Sequence, residues 1–159
     1  MNKKHLSIYL NDHLAGAVAG VELAKRAAGS NSGTEWEPFL ERLSDEIEED
    51  RQALLSLMSA LGIKQDLLKD AAAWLGEKVG RLKMNGQLVG YSSLSRLVEL
   101  DGLAIGIEGK LALWRALQKL GLEGVDASII DLADLERRAA KQRDELENYR
   151  RRAVVTALG

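Results

Sequence analysis

Four long stretches of this chain repeat an apolar or small residue every three or four positions, which is the spacing of one face of an α-helix. The stretches run from about residue 4 to Gly29, from Pro38 to Gly62, from Leu97 to near Gly121, and from Ser128 to the last residue. Leucine (28 residues) and alanine (20 residues) favour helices, and the chain contains only one proline, the residue that most disfavours them. The sequence therefore predicts an all-α fold.

Capping signals mark several of the predicted helix ends. Thr34 and Glu37 have the spacing of a capping box, and Pro38 fits the first turn of the second helix. Gly62 fits the C-terminal end of the same helix. Ser128, with an aspartate three residues later, is expected to open the fourth helix.

The connection between the second and third helices is unusually long, at roughly 30 residues. It contains a shorter amphipathic segment, Asp66 to Met84, followed by the breaks Asn85-Gly86 and Gly90. Such spacing is typical of a single-domain four-helix bundle, here residues 1–159, with a long crossover that contains a short extra helix. A five-helix array with ordinary turns also fits this pattern.

Composition excludes several classes of function. The chain has no cysteine, which excludes a thiolate nucleophile and Cys-ligated metals, and its net charge of −2 argues against a nucleic-acid binder. The apolar stretch Leu94 to Leu117 carries six charged residues, too many for a membrane span. The first residues are basic enough for a signal peptide, but Asn11, Asp12 and His13 interrupt its apolar core. We expect a cytoplasmic protein that contacts neither membrane nor nucleic acid.

Charge is unevenly divided between the second and fourth helices. Residues 35–50 contain eight acidic residues and one arginine, whereas residues 136–152 contain seven basic and four acidic residues. We expect these helices to attract each other, within one chain or between two chains.

Short motifs in three of the helices are similar to those of a known family. They are Leu10-Asn-Asp-His-Leu14, Asp45-Glu-Ile-Glu-Glu-Asp50 with the following Leu57-Met-Ser-Ala-Leu-Gly62, and Gln142-Arg-Asp-Glu-Leu-Glu147. The chain resembles the ferritin-like four-helix bundles of the bacterioferritin and rubrerythrin type. This resemblance implies a two-metal centre in the bundle, held by one Glu from each of two helices and a Glu-x-x-His motif from each of the other two.

The resemblance also shows that the ligand positions are degenerate. The expected ligand positions fall on Ala17, on Glu46 and Glu49, near Gly106, and on Ala139 and Gln142. No Glu-x-x-His motif is present. A metal site would depend on Glu46, Glu49, Glu108 and His13, with Asp50 nearby, and such oxygen-rich ligands favour Mg²⁺, Ca²⁺ or Mn²⁺.

Two functions follow from these observations. The first is a ferritin-like bundle without an intact metal centre or cofactor, acting as a homodimeric interaction or structural module rather than an enzyme. Here Glu46 and Glu49 belong to a solvated acidic face, and His13 is a core imidazole bonded to a carboxylate of the second helix. The alternative is a divalent-metal-binding protein or oxidoreductase of the ferritin-like type, with Fe or Mn as cofactor.

Glycines inside the first and third helices need a separate explanation. Gly16, Gly20, Gly102, Gly106 and Gly109 interrupt otherwise good helices. Each costs about 1 kcal/mol relative to alanine. We expect helices one and three to approach closely across Gly16 and Gly20 on one side and Gly102 and Gly106 on the other, within the bundle or across a dimer.

Overall fold

The computed structural model describes residues 2–66, 90–122 and 130–159. Within these ranges the chain forms four helices and no strand. They are α1 (Lys3–Ser30), α2 (Glu37–Ala60), α3 (Ser93–Leu120) and α4 (Leu132–Leu158). The predicted all-α four-helix bundle is confirmed.

The start of α2 differs from the predicted capping box. Trp36 is the N-cap residue and makes no side-chain capping hydrogen bond. The Thr34 hydroxyl accepts a hydrogen bond from the Trp36 N–H at 3.2 Å. The Glu37 carboxylate accepts from the Ser32 hydroxyl at 2.6 Å and from the Gly33 N–H at 2.9 Å. Glu37 therefore orders the α1–α2 turn, because its side chain reaches past Thr34 to the preceding residues.

The ends of α3 and α4 have clear local causes. The Ser92 hydroxyl accepts a hydrogen bond from the Ser95 N–H at 3.1 Å, and α3 ends at Gly121, whose φ of 52° favours glycine. Asp131 is the N-cap residue of α4, and its carboxylate accepts from the Asp134 N–H at 2.9 Å. The helix therefore begins after Asp131 and not at Ser128 as predicted. Ser128 itself lies outside the described residues.

Two clusters of buried side chains define the directions of the helices. One cluster joins the end of α1, the start of α2, the start of α3 and the end of α4, and includes Val21, Leu43, Leu100 and Leu146. The other joins the opposite ends of the same helices, and includes Leu10, Leu57, Trp114 and Leu135. Hence α1 and α2 are antiparallel, α3 and α4 are antiparallel, and α2 and α3 run in the same direction.

Because α2 and α3 are parallel, the end of α2 and the start of α3 lie at opposite ends of the bundle, which is the arrangement that a crossover connects. The predicted extra helix at 66–84 lies outside the described residues, apart from Asp66. At the start of the connection, the Asn11 side chain donates to the Lys64 carbonyl at 3.2 Å and accepts from the Asp66 N–H at 2.6 Å. The crossover thus leaves α2 along the surface of α1.

A satisfied polar cluster holds the chain where the crossover enters α3. The Tyr91 hydroxyl donates to Glu99 and accepts from the Asn31 amide, with both distances at 2.8 Å. Arg26 donates to the other Glu99 oxygen at 2.8 Å. Burial, together with the Glu99 carboxylate, raises the pKa of Tyr91, so its hydroxyl stays protonated as a donor.

Ion pairs join α4 to α2 and to the turn before α2. Arg138 of α4 pairs with Glu49 of α2 at 2.7 Å, as the two compositions predict, and Arg152 of α4 pairs with Glu35 of the turn at 2.6 Å. Arg42 of α2 pairs with Glu145 of α4, with the charges in the opposite sense. These pairs lie within one chain. Among the described residues, no helix has the length and apolar character needed to cross a membrane.

Candidate functional site: an interhelical cavity

A cavity of about 430 Å³ lies between α1, α2 and α3. Its described walls extend from Tyr9 to Gly20 on α1, from Ile47 to Leu54 on α2, and from Leu103 to Trp114 on α3. The α1 and α3 walls each span 12 residues, or about 16 Å along the helix axis. Most of the lining is glycine, alanine or aliphatic side chain, so this is an apolar cavity of the size that small organic molecules occupy.

Helical glycines form part of the cavity wall and its rim. Gly16 and Gly106 are exposed, and Gly20 and Gly109 are partly buried. A Cβ atom added at Gly16, Gly106 or Gly109 would meet no described atom within 4 Å. At Gly20 it would make an ordinary contact with Ile47 at 3.9 Å. The missing side chains therefore enlarge the cavity and do not bring helices together.

Gly102 is the exception among the predicted contact glycines. An added Cβ there would lie 2.8 Å from Cδ2 of Leu23, so α1 and α3 do approach closely at this position. The expected close packing at Gly16 and Gly106 is wrong within the described chain, because both positions face open space. Close packing of these glycines across a homodimer stays a prediction.

A buried polar cluster lies behind the cavity and connects three helices. Lys110 of α3 donates to Asp50 Oδ2 of α2 and to Gln142 Oε1 of α4, with both distances at 2.5 Å. The Gln142 amide also donates to Asp50 Oδ2 at 3.1 Å. A guanidinium nitrogen of Arg138 lies 3.2 Å from Asp50 Oδ1. Asp50 and Lys110 line the cavity, whereas Gln142 and Arg138 hold them from outside it.

Lys110 and Asp50 of this cluster do not form all the hydrogen bonds that their side chains can form. An ammonium group has three N–H donors, and the third donor of Lys110 has no acceptor among the described residues. Burial lowers the pKa of Lys110, while the adjacent Asp50 carboxylate opposes that shift and favours the charged form. Asp50 Oδ1 has no hydrogen bond, although Arg138 compensates its charge.

Two further ring systems line the same cavity. The Trp114 side chain is 1% exposed, and its indole N–H has no hydrogen-bond partner among the described residues. His13 is partly buried and packs edge-on against Tyr9, with 4.5 Å between the ring centroids. No hydrogen bond joins His13 to a carboxylate of α2 in the described part of the chain, so the predicted core bond is absent there.

The candidate metal ligands are not brought together. Glu46 lies near Arg42, Glu49 pairs with Arg138, and Glu108 lies 3.7 Å from Arg143. Glu49 and Glu108 are exposed to solvent, whereas His13 faces the cavity. In residues 2–66, 90–122 and 130–159, no three His, Asp or Glu side chains could hold a metal ion.

Sequence reasoning identified Asp50 and Gln142 as residues near the bundle interior, but it missed Lys110. A signal was present, because Lys110 lies one turn before Trp114 and three residues after Ile107, on an otherwise apolar helix face. A charged residue on such a face needs a buried partner. The partner, Asp50, is 60 residues away in the sequence.

Comparisons of this chain with family models, with curated proteins and with solved structures found no match.

Proposed function

We propose that this chain is a helical-bundle module without a metal centre that binds a small, largely apolar molecule between α1, α2 and α3. The observation that carries the proposal is the cavity of about 430 Å³ with a glycine-lined wall. Its wall is mainly apolar, and two of its polar side chains, Asp50 and Lys110, are paired with each other. An apolar wall with a small number of placed polar groups is the usual arrangement of a small-molecule site.

The energetics of the glycines support this proposal. Gly16, Gly106 and Gly109 together cost about 3 kcal/mol of helix propensity relative to alanine. No described atom lies close enough to offset that cost by packing. A ligand that fills the cavity would bury apolar surface and stabilise the native state in proportion to its binding. Space for a ligand is therefore a physical reason for glycine at these positions.

The ferritin-like family, the homodimer and the cytoplasmic location belong to the same proposal. The helix directions and the long crossover are those that the resemblance implies. In this interpretation the apolar cavity has taken the place of the metal centre, since Ala17 lies at one implied ligand position and lines the cavity.

The experiment is a fluorescence titration with N-phenyl-1-naphthylamine, an uncharged apolar probe. We expect wild-type protein to bind one probe per chain, and Gly106→Leu and Ala17→Leu to bind it much more weakly, because both side chains would occupy cavity space. Gly29→Leu is the matched control, because Gly29 is an exposed α1 glycine with open space around it that does not line the cavity.

Circular dichroism would establish that each variant is folded. The proposal is overturned if wild-type protein fails to bind the probe, or if folded Gly106→Leu and Ala17→Leu both bind it as well as Gly29→Leu does.

A further inference from the structure

We infer that the cavity accepts an amphiphile with a carboxylate head group, and that Lys110 binds this head group. This inference rests on the proposed function and adds the chemical class of the ligand. The polar groups of the cavity, the surrounding charge and the length of the apolar wall each support it.

Two donors and one acceptor around the cavity lack hydrogen-bond partners among the described residues, and the acceptor, Asp50 Oδ1, lies 3.2 Å from a guanidinium nitrogen of Arg138. Lys110 retains one N–H without an acceptor, and the Trp114 indole N–H has none in the described chain. The two residues are four positions apart on α3, so they lie on the same helix face. A carboxylate is acceptor-only and has two oxygens, so it matches a site with surplus donors better than an alcohol or an amine does.

Lys110 supplies a positive charge at the cavity wall. It lies 2.5 Å from Asp50, and Asp50 is also 3.2 Å from Arg138, which pairs with Glu49 at 2.7 Å. Burial lowers the pKa of His13, so this ring adds no positive charge at neutral pH. Hydrogen bonds between a carboxylate and an ammonium are stronger than neutral ones, especially away from water.

Other charged groups at the cavity already have partners or lie in solvent. Arg51 lines the cavity but is paired with Glu48 at 2.7 Å. Asp12 lies on the exposed side of α1, where solvent screens its repulsion. The Lys110 side chain is 15% exposed and that of Arg51 is 25% exposed, so Lys110 lies deeper in the cavity wall and is the cation better placed to receive an anionic head group.

The apolar wall beyond Lys110 determines the length of the tail. From Lys110 to Leu103 the α3 wall spans eight residues, or about 10 Å. Ile107 lies on this wall, with Gly20 and Ile47 on the facing helices. These dimensions suit an unbranched tail of medium length, in contact with glycine and aliphatic surfaces.

The test compares three competitors with the same ten-carbon tail, namely decanoate, decanol and decylamine, for displacement of bound N-phenyl-1-naphthylamine. We expect decanoate to bind wild-type protein about tenfold more tightly than decanol, and decylamine to bind less tightly than decanoate. Lys110→Met should remove this preference, so that decanoate binds no more tightly than decanol to the variant. Lys119→Met, an exposed lysine of the same helix, is the control and should keep the preference.

A second variant covers the risk that Lys110→Met destabilises the protein by leaving Asp50 without its lysine. The double variant Asp50→Asn with Lys110→Met removes both charges, and it should lose the preference for decanoate in the same way.

Equal binding of decanoate and decanol to wild-type protein, or failure of decanoate to displace the probe, would overturn the inference and leave the cavity proposal standing. Retention of the preference in both Lys110 variants would also overturn it. Absence of probe binding would instead overturn the proposed function.

Discussion

Nζ of Lys110 lies 2.5 Å from Oδ2 of Asp50, and this buried ion pair joins α3 to α2 at the edge of the cavity. Gln142 of α4 forms hydrogen bonds with both residues, so this polar cluster joins three helices. Apolar side chains tolerate small shifts along a helix, whereas a directional ion pair does not. The cluster therefore keeps the cavity walls in register.

The first prediction concerns the strength of this pair. Lys110→Met and Asp50→Asn should each lower the free energy of unfolding by about 3 kcal/mol, because each leaves a buried group without its main partner. The double variant should lose clearly less free energy of unfolding than the two single variants lose together. Urea unfolding of the four proteins measures the coupling, and additive single effects would show that the contact is energetically unimportant.

The second prediction compares helical glycines. Gly106→Ala should raise the free energy of unfolding by about 1 kcal/mol, because alanine is the better helix former and its Cβ meets open space. Gly102→Ala should raise the free energy of unfolding by less than Gly106→Ala does, or should lower it, since the new Cβ would lie 2.8 Å from Leu23 Cδ2. Gly33→Ala should destabilise, because its φ of +75° is strained for any side chain. Equal melting temperatures for the two helical variants would contradict this.

The helices and the crossover could be predicted from the sequence because their signals are local, whereas the cavity could not. The 3.6-residue periodicity and Gly62 or Gly121 at a helix end act over a few residues. Whether Gly106 faces a neighbouring helix or open space depends on how the helices pack. The sequence shows only that glycine lowers the helix propensity at this position relative to alanine. Likewise, the sequence places Lys110 on an otherwise apolar face of its helix, but it does not show that Asp50, 60 residues away, is its partner.

The third prediction is a pH dependence of stability caused by His13. Burial lowers the pKa of His13 below its ordinary value of 6.5, and the Asp12 carboxylate opposes the shift. The unfolded chain therefore takes up a proton more readily than the native state. The associated stability is complete above the ordinary pKa and is lost as the pH falls through the lowered one.

We therefore expect the melting temperature of wild-type protein to fall between about pH 7.5 and about pH 5, and His13→Gln to reduce that fall. His5→Gln, on the exposed first turn of α1, is the control and should behave as wild type. Identical pH profiles for wild-type protein and His13→Gln would show that the imidazole is not responsible.

The last prediction tests the metal-binding alternative directly. Glu46 and Glu49 pair with arginines and do not converge with a third ligand in the described chain, so we expect the double variant Glu46→Gln with Glu49→Gln to change stability by less than about 1 kcal/mol. Neither this variant nor wild-type protein should melt at a higher temperature when Mn²⁺ or Fe²⁺ is added. An ion present at 100 times its dissociation constant would stabilise the native state by about 2.7 kcal/mol, which a melting curve resolves. A rise confined to wild-type protein would establish these two carboxylates as ligands and favour the metal-binding function over the apolar cavity.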